Sequence, residues 1–183
     1  MDQPLLRDDR VLLRAPGPAD VDACTRAGQD PENARWLTSL PQPYRREHAA
    51  EFLLTAVPAG WLADSSWTWA VADPQTGELL GMTGLHDVRR DEGRAEVGYW
   101  VAPWARGRGV ATAALRLATR WALGPGGLAR VEWLAVVGNE ASWAVARHAG
   151  FRFEGTLRGR LLRRHDQTRH DAWVGGLLAT DLP

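Results

Sequence analysis

The chain has 183 residues, long enough for one domain with a real core and near the top of the usual range of roughly 100–200 residues per domain. Hydrophobic residues make up 45% and charged residues 24%, and 22 acidic residues balance 22 basic ones, so no global charge calls for a nucleic acid or an anionic membrane. The single cysteine, Cys24, excludes an internal disulfide and a Cys-based zinc cluster, and every basic residue is arginine, which excludes Schiff-base and P-loop chemistry on a lysine side chain.

The opening MDQPLLRDDR lacks an apolar run, which predicts no secretory signal. No later stretch approaches the roughly 20 apolar residues of a bilayer span, so a cytoplasmic setting is the expectation. Residues 10 to 15 (RVLLRA) read as a short strand ended by Pro16, Gly17 and Pro18. A broken helical region follows from about 18 to 56, interrupted at Asp30–Pro31 and at PQP, 41 to 43. Residues 67 to 72 (WTWAVA), 79 to 88 and 96 to 101 (EVGYWV) then read as an antiparallel meander, its turns marked by DPQTGE and RRDEGR. Val110, Ala114, Leu117 and Trp121 recur at helical spacing, and GPGG at 124 to 127 stops that helix. Residues 130 to 137 form a strand, 139 to 149 a helix closed by Gly150, and 151 to 178 two strands around a polar turn at 165 to 169. The order predicts an α+β domain over 1–183 with one central mixed, mostly antiparallel sheet.

Between the meander and the long helix lies WVAPWARGRGVATAALR, residues 100 to 116. Glycine is costly to order, so a Gly-rich entry into a helix is either a plain connection or a means of exposing backbone N–H groups. Such groups, with the partial positive charge of a helix N-terminus, form an anion site. Arg106 and Arg108 add formal charge beside Gly107 and Gly109. A dinucleotide fingerprint fits poorly, since Thr112 stands where the third glycine belongs and hairpins precede the turn.

Arg106-x-x-Gly109-x-Ala111 resembles the R/Q-x-x-G-x-G/A signature of the GNAT acyl-CoA N-acyltransferases. The upstream EVGYWVAP, the downstream Asn139-x-x-Ser142 and the Gly150–Phe151 pair fit the same family in the same order. The opening LLRAPGPADVDA, the DPENARWL near 30 and the Arg-rich C-terminal hairpin resemble the RimJ/RimL-like branch, which includes the ribosomal-protein N-terminal acetyltransferases. The resemblance implies a GNAT fold whose sheet splays beside the third meander strand, with acetyl-CoA as co-substrate and a primary amine as acceptor. Tyr99, Trp100 and Val101 would bind the pantetheine arm and acyl group through their backbone. The N–H groups of Gly107, Arg108, Gly109, Val110, Ala111 and Thr112, with Arg106, would hold the pyrophosphate, and Asn139 the amide chain of the cofactor. No metal is implied, nor is a membrane or nucleic-acid partner; a homodimer is compatible with the pattern.

Acyl transfer from a thioester to an amine needs a neutral amine, a stabilised oxyanion and a proton for the departing thiolate. A strand N–H near Val101 suits the oxyanion. Ser142 matches the branch as hydroxyl donor, although a serine there also commonly bonds the first helical turn. The tyrosine acid of many relatives, five residues before the Gly–Phe phenylalanine, is replaced here by Ala146. Glu96 shares a strand face with Gly98 and Trp100 and is the candidate base; His86 is the alternative, and an ion pair of Glu96 across the sheet with an arginine such as Arg94 is the plain reading. His165 and His170 flank a polar turn without the carboxylates or thiols that would complete a metal set. Seven arginines stand against Glu154 and Asp166 between 147 and 170, a solvated face or a guide for an acidic partner. Trp36, Trp61, Trp67 and Trp69 fall where an acceptor rim would lie in this fold, although most tryptophans are core residues. A catalytically silent acyl-CoA-binding or RNA-associated module is the second reading of the chain.

Overall fold

The computed structural model describes residues 3–182. Its strands are β1 (Leu6–Arg7), β2 (Leu12–Arg14), β3 (Trp67–Ala72), β4 (Leu79–Arg89), β5 (Arg94–Val101), β6 (Arg130–Val136), β7 (Arg152–Leu162) and β8 (Arg169–Leu178). They form one sheet in the order β1-β2-β3-β4-β5-β6-β8-β7, antiparallel throughout except where β6 lies parallel to β5. A single parallel pair needs a crossover, and α5 (Val110–Leu123) supplies it. The mixed, mostly antiparallel sheet expected from the turn pattern is therefore present; β1, two residues long, carried no periodicity to reveal it.

The helical stretch before β3 is longer than expected. After α1 (Val21–Gly28) and α2 (Pro31–Trp36), the helix α3 (Arg46–Glu51) runs through a wide π turn over Phe52–Ala56 into α4 (Val57–Leu62). Pro58 has no N–H to give to the ladder, and a wider turn ahead of it lets the helix continue. Asp30–Pro31 interrupts the helical region between α1 and α2, as expected, and also starts the second helix. The Asp30 side chain accepts from the Asn33 N–H at 3.0 Å, with Pro31 in the first helical position.

Apolar residues bury on both faces of the sheet. On one face Val110, Ala114, Ala118 and Trp121 of α5 pack with Leu85, Val97, Val131 and Trp133, together with Ala146 of α6 (Glu140–His148). On the other, Val21, Cys24, Ala49 and Leu53 from the N-terminal helices cover Ala70, Leu79 and Met82. Trp61, Trp67 and Trp69 belong to the core on the α5 face, which overturns their expected place at an acceptor rim. Each is at most 4% exposed, and with Trp121 their rings lie 4.9–6.2 Å apart. Their indole N–H groups are satisfied by Thr68 O, Asp64 and Pro4 O, which makes full burial affordable. Trp67→Ala should lower the unfolding free energy by about 3–5 kcal/mol, read by denaturant titration.

Candidate active site

The pairing of β5 with β6 runs from Arg94↔Arg130 only as far as Val97↔Trp133. Gly98–Val101 continue along β4 but have no β6 neighbour, so the sheet opens into a notch. The Ala102 N–H donates to Leu80 O on the β4 side at 2.8 Å. A β-strand alternates the direction of its backbone groups, so Gly98, Trp100 and Ala102 spend theirs on β4. A Cβ on Gly81 of β4 would collide with the Trp100 carbonyl, which confirms that direction. Tyr99 and Val101 therefore turn their N–H and C=O groups into the notch. Unpaired strand groups of this kind suit an extended amide-bearing chain. Trp100, expected among the backbone donors, is corrected: its backbone belongs to β4, while its side chain packs with the helices of the opposite face.

At the mouth of the notch the chain turns through Arg106 to Gly109 into α5. Gly107 and Gly109 both have φ of 74°, the left-handed region that L side chains avoid. Gly109 is the N-cap of α5, so the turn aims the first N–H groups of the helix outward. Arg106 is not free charge here. Its guanidinium is hydrogen-bonded to Asp30 Oδ1 and, at 3.1 Å, to Asn33 Oδ1, clamping the turn to the start of α2. That bond is the main reason the Asp30 carboxyl lies below its ordinary range. The clamp's share of stability is present at neutral pH and is lost as pH falls below the carboxylate range. Arg106→Gln and Asp30→Asn should each destabilise, and the double variant by less than their sum, a coupling of about 0.5–3 kcal/mol in a thermodynamic cycle. Arg108 is exposed, with Asp73 at 3.8 Å, and its carbonyl accepts from Arg10 at 3.4 Å. Arg10, unmarked by any sequence motif, thus joins the rim of the turn.

On the α5 face, Ser142 stands at the base of the notch. Its hydroxyl lies 2.9 Å from the Tyr99 hydroxyl and accepts from Trp133 Nε1 at 3.1 Å. The Tyr99 hydroxyl also reaches Ser142 O at 2.9 Å. Burial pushes the Tyr99 phenol up to about 12, so it remains a neutral donor. Ala146, the position of the missing tyrosine acid, is wholly buried, and the phenol beside Ser142 comes from β5 instead. The Ser142 backbone N–H is taken by Asn139 Oδ1 at 3.1 Å. Asn139 is thus the cap of α6, and only its side-chain NH2 is left to meet a carbonyl.

On the opposite face of β5, Glu96 pairs with His86 across β4 and with Glu132 across β6. The imidazole leans along the strand, and a Cβ at Gly98 would lie 3.1 Å from its Nε2, so the bare glycine leaves that space open. Glu96 does pair with an arginine across the sheet, but that arginine is not Arg94. Arg94 engages Glu92, Asp87 and Glu132, whereas the cation near Glu96 is Arg160 Nη2 at 3.9 Å. Desolvation raises the Glu96 pKa, against Arg160, with Glu132 and Asp87 adding to the rise. His86 is open to solvent at one side, but the crowded walls around it lower its pKa by desolvation. His165 and His170 remain solvated partners of Asp166 and Thr168, and no metal-binding cluster occurs among the described residues.

The candidate site is thus a strand-lined notch with unpaired backbone groups, a Gly-rich helix entry at its mouth, the Ser142 hydroxyl on one side of the sheet and the Glu96 carboxylate on the other. The chain belongs to the acetyltransferase (GNAT) domain family, whose pattern matches residues 10–152. It is 37% identical over 121 residues to YdaF of Bacillus subtilis (strain 168), which carries the name of a ribosomal N-acetyltransferase; the match covers 66% of this chain and 57% of YdaF. YoaA, a second N-acetyltransferase of that organism, is 28% identical over 155 residues, 85% of this chain and 86% of its own. In three dimensions the chain superposes on Mycobacterium smegmatis RimJ, solved with CoA-disulfide, with a TM-score of 0.83 at 24% identity, covering 98% and 88% of the two chains. No described helix is long and apolar enough to cross a membrane.

Proposed function

We propose that this chain transfers an acetyl group from acetyl-CoA to a primary amine, a protein N-terminus or a small molecule, in a ternary complex. The observation that carries this reading is that Ser142, beside Tyr99, and Glu96 lie on opposite faces of β5 at the point where it parts from β6. Solved CoA complexes of similar fold support the choice of co-substrate. The pantetheine arm would run along Tyr99 and Val101, with the pyrophosphate on the N–H groups from Gly107 to Thr112 and an amide carbonyl at the Asn139 NH2.

The acceptor arrives on the other face as an ammonium and gives one proton to Glu96 directly or through water. Its nitrogen lone pair forms the C–N bond to the thioester carbonyl, whose oxygen takes negative charge near the Val101 N–H. As the carbonyl re-forms, the C–S bond breaks. The thiolate takes a proton from the Ser142 hydroxyl, which is refilled through Tyr99 or solvent. The second proton lost by the nitrogen balances that uptake, and the products are an amide, CoA thiol and one proton. Positioning two reactants from opposite sides removes the entropy cost of a bimolecular encounter. Incubation of the chain with acetyl-CoA and a panel of primary amines should release CoA thiol and acetyl-amine in equal amounts, by thiol assay and mass spectrometry. CoA binding without turnover on any amine would leave a silent acyl-CoA-binding module.

A further inference from the structure

β7 is not a regular strand. Between Leu157↔Ala172 and Leu161↔His170, three residues of β7 stand opposite the single Asp171 of β8. Gly159 takes a φ of 59° at the centre of this bulge. Its N–H donates to Asp171 Oδ1 at 2.7 Å, and its carbonyl accepts from Arg169 at 3.0 Å. A bulge bends its strand and re-aims the side chain beside it. Beyond it, the hairpin turns back over the Glu96 face and is tied to the end of α2: the Arg164 N–H donates to Thr38 O and the Arg163 guanidinium to Arg35 O, each at 2.9 Å. The side chain re-aimed by the bulge is Arg160, whose guanidinium reaches within 3.9 Å of Glu96 from the far edge of the sheet.

Glu132 beside it is already engaged by Arg130 at 3.1 Å, so Arg160 and Glu96 form a separate, half-exposed pair across the path of the acceptor. Resting on the acetyl-transfer reading, we propose that Arg160 selects the acceptor, a peptide N-terminus with a carboxylate side chain at its second residue. An amine within a hydrogen bond of Glu96, about 3 Å, stands no more than about 7 Å from the Arg160 guanidinium. At roughly 3.4 Å per extended residue, a side chain on the second residue spans that separation. The incoming carboxylate takes Arg160 from Glu96 as the ammonium reaches Glu96, so each charge exchanges one partner for another. Arg158 and Arg164 are exposed on the same hairpin.

The test uses C-terminally amidated pentapeptides that differ only in Glu, Gln or Lys at the second residue, with acetyl-CoA saturating. The expected order of kcat/KM is Glu over Gln over Lys, with Glu preferred to Gln roughly 10- to 100-fold, as for a charge-assisted hydrogen bond. Arg160→Gln should collapse the Glu-to-Gln ratio towards one, Arg160→Lys should retain part of it, and Arg160→Glu should favour the Lys peptide. Amidation removes the terminal carboxylate; glutamate itself and glutamate amide, run beside the peptides, tell a free amino acid from a peptide acceptor. A wild-type ratio near one with turnover intact overturns the proposal and leaves acetyl transfer standing. Failure to acetylate any amine overturns both. A ratio near one together with salt-sensitive RNA binding lost in Arg160→Glu also overturns it and assigns the hairpin to a phosphate backbone.

Discussion

Gly109→Val should abolish thermal stabilisation by CoA while the unliganded protein stays folded. At CoA a hundredfold above its dissociation constant, the wild type gains about 2.7 kcal/mol, roughly 5–11 °C for a chain of this size. Gly109 has φ of 74° at the start of α5, a conformation in which a β-branched residue is an outlier. The variant chain either keeps the turn at a strain of about 1–3 kcal/mol or rotates the first helical N–H groups away from the phosphates. A Cβ at Gly109 would also lie 3.1 Å from the Arg10 guanidinium, which can move aside, so the backbone decides the outcome. Gly107→Ala separates strain from obstruction, because Gly107 shares the φ of 74° but has nothing within 4 Å of a Cβ. That variant should lose stability yet keep part of the CoA shift. A full CoA shift in Gly109→Val would remove the pyrophosphate from this turn.

Those glycines were legible because a backbone requirement is written directly into residue type. So was the meander, whose turns at DPQTGE and RRDEGR carry their own chemistry, and so was the face of Glu96, fixed by the two-residue period of a strand. What stayed hidden depends on partners distant in sequence. The charge of Arg106 is consumed by Asp30, 76 residues away. Whether Trp100 or its neighbours offer backbone to the notch depends on which residues β4 claims, and no spacing in β5 alone reveals that. The tryptophans before and within β3 read equally well as rim or core until α5 places Trp121 against them. Arg160 belonged to an undifferentiated basic run; the bulge at Gly159, which aims it at Glu96, is a property of the β7–β8 register.

Ser142→Ala should lower kcat by about 10²–10⁴ with little change in the Michaelis constant for acetyl-CoA, the signature of a positioned proton donor. The Ser142 hydroxyl also accepts from Trp133 and meets Tyr99, so its loss leaves an indole N–H unpaired at about 1–3 kcal/mol of stability. Tyr99→Phe removes the phenol without removing the serine. A smaller kcat loss there places Ser142 next to the thiolate, whereas an equal loss makes the two hydroxyls one relay. Glu96→Gln should cost a similar factor and remove the acidic limb of the kcat/KM profile while CoA binding persists. Desolvation raises the folded pKa of Glu96, so its ionisation favours unfolding as pH rises. The Gln variant should therefore be at least as stable as the wild type at neutral pH, even as its rate collapses. Desolvation raises Glu96 and lowers His86, so the two limbs move towards each other, and a wild-type profile alone does not separate them. The variants do. A limb that survives Glu96→Gln and vanishes in His86→Ala assigns the proton to the imidazole. One that survives both means the amine arrives neutral, and catalysis then rests on holding acetyl donor and acceptor on either side of one strand.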